Sequence, residues 1–263
     1  MVKKTENIAI IGTGNVGSHL AQALYNDGIN IKQLFSRSIN KVIAIAEKTD
    51  SSPIDNLDQL HDNLDLIIVA VNDDAIRSVI EQIPFRNVLT VHTSGSVSLN
   101  VFDSLGYNNF GIFYPLQSFN KHQEINIKEV PFCLEAVNNK SLFVLESLAK
   151  KISNHVYHIN SKERETLHLA AVFANNYSNF MYQIAKQITD ESNLSFDLLK
   201  PLINETANKI NFLSPKEAQT GPAQRNDLKT IEKHLLLLQD SPNLKELYKN
   251  ISELIINSSN QSN

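Results

Sequence analysis

The sequence predicts an α/β domain built on a mostly parallel sheet, followed by an all-α region. Short apolar runs alternate with amphipathic stretches from the N-terminus to about residue 160. The strongest run, Leu64–Val71 (LDLIIVAV), is continuous rather than alternating, as a strand covered on both faces requires. Beyond residue 160 no strand candidate remains and the periodic stretches have helical spacing.

Taken in order, Ile8–Ile11 is a short strand that ends at Gly12. Val16–Tyr25 is a helix with Val16, Leu20, Ala23 and Leu24 on one face, closed by Gly28. Ile31–Phe35 is the second strand and Lys41–Lys48 the next helix. Leu64–Val71 is followed by a helix over Asp74–Gln82 and a strand over Asn87–His92. Phe110–Phe113 and Pro131–Ala136 are weaker strands, then a helix over Asn139–Ile152 leads to Val156–Ile159. This rhythm implies right-handed crossovers. Ser161 is expected to cap a long helix reaching about Asp190. A second helix covers Ser195–Asn211, kinked or restarted at Pro201, and Ser214–Thr220 is a short turn of helix. Asp227–Gln239 and Leu244–Ile256 complete the helices, and the final SSNQSN is expected to fray. The domains expected are 1–160 and 161–263.

Composition agrees. A length of 263 residues suits one to two domains, and 42% hydrophobic against 20% charged residues excludes wholesale disorder. The net charge of -4 leaves no basic surplus for nucleic acid or an anionic membrane surface. No apolar stretch is long enough for a transmembrane helix, and the N-terminus lacks a signal-peptide core, so a cytoplasmic location is expected. The single cysteine, Cys133, excludes an intrachain disulfide and reads as a small core residue.

Between the first strand and helix stands Gly12-Thr13-Gly14-Asn15-Val16-Gly17. In that context the first glycine permits a tight turn, the second lets backbone approach a pyrophosphate, and the third packs helix on strand. The helix N-terminus, from Asn15 and Val16, offers N–H groups and a positive dipole end. An ordinary glycine turn is the alternative. After the second strand, where an NAD site places an acid, the chain reads Ser36-Arg37-Ser38. A guanidinium flanked by hydroxyls favours a ribose 2′-phosphate, hence NADP, although a solvated turn would read the same. Val71 and Asn72 end the central strand, where open α/β sheets bind ligands, and Asn72 and Asp73 also suit a helix cap.

His92, Ser94 and Gly95 end another strand on that side, either as pocket residues or as a capped turn. On the long helix, His168, Val172, Asn175 and Asn179 share a face, with Asn176 beside it. These polar groups serve either structure or a substrate pocket. In Gly221-Pro222-Ala223-Gln224-Arg225-Asn226-Asp227, Arg225 either pairs with Asp227 or clamps a substrate anion. His155 and His158 have no companions at metal-ligand spacing. Neither a nucleophile elbow nor a phosphate-loop lysine is present.

GTGNVGSHLA, HTSG, FYPLQSF, HLAAVFANN and GPAQRND together resemble a family of bacterial proteins that pair a Rossmann-like NADP-binding domain with a helical domain of unknown function. The resemblance runs over nearly the whole chain. Its wider relatives are the 6-phosphogluconate dehydrogenase and pyrroline-5-carboxylate reductase superfamily. It implies a homodimer through the helical domain and a cofactor between domains. Gly12, Gly14 and Gly17 match the dinucleotide fingerprint, His92, Ser94 and Gly95 the strand end, and Tyr114-Pro115-Leu116-Gln117 the following loop. His168, Asn175 and Asn176 match the interdomain helix, and Gly221, Pro222 and Arg225 the late turn. The catalytic lysine of the β-hydroxyacid dehydrogenases is missing: Ala171 and Val172 stand in its places. Pyrroline-5-carboxylate reductase chemistry is likewise unsupported, because only GPA matches its substrate loop.

The reading is an NADP-dependent oxidoreductase acting on a small polar C=O or C=N substrate. His168, with Asn175 and Asn176, is expected at the reacting centre, and His92, Ser94, Gln117 and Arg225 around the substrate. The alternatives are an NADP-binding sensor or scaffold without turnover, and a purely structural dimer.

Overall fold

The computed structural model describes residues 7–120 and 123–260. Strand β1 (Asn7–Ile11) runs into helix α1 (Asn15–Asn26), and β2 (Asn30–Phe35) into α2 (Ile39–Ala46). A short β3 (Ser52–Ile54) follows, then β4 (Leu66–Val69), α3 (Asp73–Gln82) and β5 (Leu89–His92). The sheet is completed by β6 (Phe110–Pro115), β7 (Phe132–Ala136), α4 (Asn139–Ile152) and β8 (Val156–His158). Its order is β3-β2-β1-β4-β5-β6-β7-β8. Only the β6–β7 pair is antiparallel among the described residues. The mostly parallel sheet is as expected.

The sheet carries a core on each face because the apolar runs are continuous. Ile8, Ile10, Leu66, Ile68 and Val91 pack with Leu20 and Leu24 of α1 and Leu145 of α4. Ala9, Ile11, Ile67 and Val69 pack with Ile76 and Ile80 of α3 and with Phe102. Each fully buried large aliphatic contributes roughly 1.5–3 kcal/mol. Cys133 lies buried in this sheet, as expected.

Differences from the sequence reading have local causes. β3 is not expected from the sequence, because three residues containing Pro53 carry no strand periodicity; its edge position tolerates the proline. The central strand is shorter than its apolar run, and Ala70 and Val71 already belong to the turn beyond it.

Helix α5 (Ser161–Ala171) is capped by Asn160, not Ser161. The Asn160 side chain accepts from the Glu163 N–H while Glu163 accepts from the Asn160 N–H. The Ser161 hydroxyl instead donates to Glu135. A π-helical turn, Val172–Tyr177, joins α5 to α6 (Ser178–Glu191). Its wider turn takes an extra residue and rotates the helix beyond it. The face drawn through His168, Asn175 and Asn179 on a uniform period is therefore interrupted.

Pro201 sits in the first turn of α7 (Lys200–Lys209), after a short 3₁₀ turn, where its missing N–H costs nothing. Asp227 caps α8 (Leu228–Leu237), and α9 extends over Pro242–Asn260. Residues 258–260 are therefore helical rather than frayed, with the Ser259 hydroxyl donating to Gln224; 261–263 lie outside the described residues. No helix of the described residues is long and apolar enough to cross a membrane.

The sheet ends at residue 158, yet the first compact unit extends to Met181, so α5 and the π turn belong with the sheet. The second unit begins at Tyr182, and its described residues, 182–260, form helices and turns.

Candidate functional site

Parallel register brings several strand ends to one edge. Ile11 lies beside Phe35 and Val69, Val69 beside His92, and His92 beside Ile112. The glycine turn leaves this edge after β1. Gly12 has φ 104°, its N–H donates to the Phe35 carbonyl at 2.9 Å, and a Cβ there would collide with the Ala70 carbonyl. A Cβ on Gly17 would collide with the Gly12 carbonyl. Gly14 is different: apart from its chain neighbours, nothing among the described residues lies within 4 Å of where its Cβ would be.

Helix α1 begins immediately after Gly14, with no side-chain cap and no acid in its first turn. The Ser18 hydroxyl, which donates to the Thr13 and Gly14 carbonyls, ties the turn from within. Open space beside Gly14 and the uncapped N–H groups of Asn15, Val16 and Gly17 suit a diphosphate.

At the neighbouring strand end, Arg37 is exposed between Ser36, whose hydroxyl accepts from the Ser38 N–H at 3.4 Å, and Ser38. Val71 is half-buried, and Asn72 precedes α3 without capping it by its side chain. Asp73 accepts a hydrogen bond from the Ser96 hydroxyl.

The loop after β5 is packed inward. His92 is 0% exposed and lies over Phe102, with ring centroids 6.1 Å apart. Its Nδ1 accepts from the Ser94 N–H at 3.2 Å, and Nε2 has no partner among the described residues. Burial, then the nearby Arg164 charge, push its pKa down to about 3, so the ring is neutral. Ser94 is buried too, its hydroxyl oxygen accepting from the N–H groups of Ser96 and Val97. His92 and Ser94 thus shape the loop, whereas Gln117 is exposed and accepts from the Ser118 N–H at 2.7 Å.

Gly95 is where this loop meets α5. Its Cβ, if present, would lie 2.6 Å from His168 Nδ1 and 2.7 Å from Tyr114 Cζ. His168 is half-buried, and its Nδ1 lies 3.1 Å from the Tyr114 hydroxyl. One turn earlier on α5, Arg164 is 0% exposed. It donates to the carbonyls of Val97 at 2.7 Å and Gly95 at 3.4 Å and to the Ser161 hydroxyl at 3.1 Å, and faces Glu135 at 3.6 Å. Burial lowers its pKa and Glu135 opposes the shift. Arg164 therefore fastens the Gly95 loop against the helix that carries His168.

Sequence reasoning missed both Arg164 and the Tyr114 contact. Arg164 is hidden in the charged run SKERE; the available signal is its place four residues before His168, on the same helix face.

Asn175 and Asn176 are exposed on the π turn, and their side-chain amides have no partner among the described residues. Arg225, in the second unit, is exposed. Asp227 accepts from both the N–H and the hydroxyl of Thr230, at 3.2 and 2.7 Å. These bonds hold its carboxyl below its usual range, with Arg225 a lesser influence. Asp227 is thus a helix cap rather than the partner of an Arg225 ion pair.

Comparisons agree with this architecture. Residues 7–94 match the model described as NADP oxidoreductase coenzyme F420-dependent, and residues 130–255 match a domain of unknown function (DUF2520). A "putative NADP oxidoreductase" from Bacteroides fragilis is 38% identical, with a TM-score of 0.90, over 98% of this chain and 100% of its own. Protein TM1727 from Thermotoga maritima is 23% identical, with a TM-score of 0.74, over 97% of this chain and 99% of its own. A pyrroline-5-carboxylate reductase from Coxiella burnetii is similar in fold, with a TM-score of 0.60 at 18% identity, over 98% of both chains. No curated protein matches the sequence.

Proposed function

The chain belongs to the bacterial oxidoreductase family of the Bacteroides fragilis protein, and from that premise we propose that it reduces or oxidises a small polar carbonyl or imine compound with NADP. The observation that carries the reading is the glycine turn. Gly12 and Gly17 admit no side chain, while Gly14 faces open space beside an uncapped helix N-terminus. Asn15, Val16 and Gly17 hold the diphosphate through backbone N–H groups, and Arg37 with Ser36 and Ser38 holds the 2′-phosphate. Val71, Asn72 and Gly95 border the rest of the cofactor.

The bound nicotinamide supplies or accepts the hydride. The chain's own contribution is to orient the substrate and handle its proton. His168 is the proposed substrate-facing group, because its ring is half-buried at the loop after β5 and held at Nδ1. Asn175 and Asn176, whose side-chain amides have no partner among the described residues, are the proposed hydrogen-bond partners. Gln117 and Arg225, both exposed, are proposed to contact polar or anionic parts of the substrate. His92 and Ser94 serve from behind by shaping the Gly95 loop.

We also propose that the active form is a cytoplasmic homodimer joined through its helical region. Leu198, Leu202, Leu237 and Leu254 are each at least 62% exposed in the single chain, more apolar surface than a lone helical unit ordinarily leaves in water. Light scattering should give twice the chain mass of 29.5 kDa, and a monomer would refute the dimer.

The functional reading is tested by fluorescence titration with NADPH and NADH. Binding of NADPH several-fold tighter than NADH is expected. Equal affinities would remove the role given to Arg37, and no binding of either would refute the enzyme reading.

A further inference from the structure

We propose that Tyr114 is a positioning residue for His168: its hydroxyl donates to Nδ1 and keeps the neutral ring protonated at Nε2. The proposal rests on the reading of His168 as the substrate-facing group, but the geometry behind it is independent of any ligand. Tyr114 lies near the end of β6, 8% exposed, and meets the His168 ring edge-on with centroids 6.0 Å apart.

The direction of the hydrogen bond follows from satisfaction. The 3.1 Å contact to Nδ1 is the only hydrogen bond of the Tyr114 hydroxyl among the described residues. Were Nδ1 the donor, the phenolic hydrogen of this 8% exposed residue would have no acceptor among the described residues, at a cost of about 1–3 kcal/mol. With the phenol as donor, both atoms are satisfied. Burial also pushes the Tyr114 pKa up to about 12, so the donor proton is present throughout the working range.

Gly95 closes the remaining side, since even a Cβ there would stand 2.6 Å from Nδ1 and 2.7 Å from Tyr114 Cζ. The Nδ1 edge is therefore filled by phenol and glycine backbone. Nε2 becomes the working edge, and it carries a proton. A neutral imidazole presenting N–H is matched by a substrate atom with a free lone pair. A carbonyl oxygen has one, and a protonated iminium nitrogen does not.

The test is nitrogen NMR of the full-length protein with ¹⁵N-labelled histidine rings, at a pH where the ring is neutral. The His168 signals are assigned as those lost in His168→Asn. In the unmodified protein Nε2 should be protonated and Nδ1 should show the shift of a hydrogen-bonded acceptor. Tyr114→Phe keeps the ring and removes the hydroxyl, so the Nδ1 signal should move to that of an unbonded acceptor or a tautomer mixture. Turnover in this variant should fall at least about tenfold with NADPH affinity unchanged. A protonated Nδ1 in the unmodified protein, or His168 signals unmoved in Tyr114→Phe, would overturn the proposal. Failure to bind NADPH would instead defeat the enzyme reading and leave the tautomer result standing.

Discussion

The glycine turn after β1 and the cluster around His168 are built differently. The turn is one short run of chain: Gly17 is required by the Gly12 carbonyl within it, and Gly12 by the Ala70 carbonyl of the neighbouring strand end. The cluster is assembled from a distance. Gly95 comes from the loop after β5, Tyr114 from β6, and Arg164 and His168 from α5. Its fastening is a buried guanidinium that reaches two loop carbonyls. The difference teaches where side chains matter: the turn needs none at its three glycines and offers backbone groups, whereas the cluster exists only if specific side chains meet.

Substitutions should separate the two regions. The largest effect is expected at Arg164. Arg164→Ala strands the Gly95 and Val97 carbonyls and leaves Glu135 with the Ser161 hydroxyl but no cation, and should lower unfolding free energy by roughly 3–5 kcal/mol. Urea denaturation measures this, and a loss below about 1 kcal/mol would mean the loop holds without its fastening. His168→Ala should leave NADPH affinity within about threefold and reduce turnover by roughly 10²-fold. A lost melting temperature with unchanged specific activity of the folded fraction would make His168 structural.

Acid should weaken the cluster before the turn. His92 is held at about 3 in the folded chain against 6.5 for an exposed ring, because burial disfavours its charge. The unfolded chain therefore binds the extra proton first. Stability from this group is complete above pH 6.5 and falls as pH drops toward 3, by up to about 1.4 kcal/mol per pH unit. Denaturation series over that range should show a shallower acid limb for His92→Leu, and parallel limbs would contradict the assignment.

The turn is sharpened by a paired test. Gly14→Ala has room for its methyl and should leave stability within about 0.5 kcal/mol while weakening NADPH about tenfold. Gly17→Ala should destabilise by roughly 1–3 kcal/mol, because its methyl meets backbone. Similar melting curves for the two would erase the distinction between a packing glycine and an approach glycine. The smallest effect is expected from Arg37→Ala: the preference for NADPH should fall several-fold with NADH affinity nearly unchanged, read by the same titration.

Legibility in the sequence follows this division. The apolar runs and the glycine spacing declare the sheet and the turn, because each is written in consecutive residues of one stretch of chain. His168 is noticeable as a polar group among alanines. Arg164 is not, because its burial depends on a loop about seventy residues earlier. The cap at Asn160 is one residue from the expected Ser161, since either side chain suits the position and only the reciprocal bond with Glu163 decides. The π turn is invisible because a uniform helical period contains no sign of an inserted residue. Continuation of α9 through Asn260 is equally hidden, because polar composition alone does not show that Ser259 binds Gln224.

The most direct measurement is a crystal structure with NADPH bound. The account predicts the diphosphate on the N–H groups of Asn15–Gly17, and the hydride-carrying carbon facing His168 Nε2 with room for one substrate group between them. That space corresponds to two contacts of about 3–3.5 Å each. A nicotinamide directed away from His168, or a His168 ring with Nε2 closed off from the cofactor, would contradict the account and favour a sensor or scaffold that binds NADP without turnover.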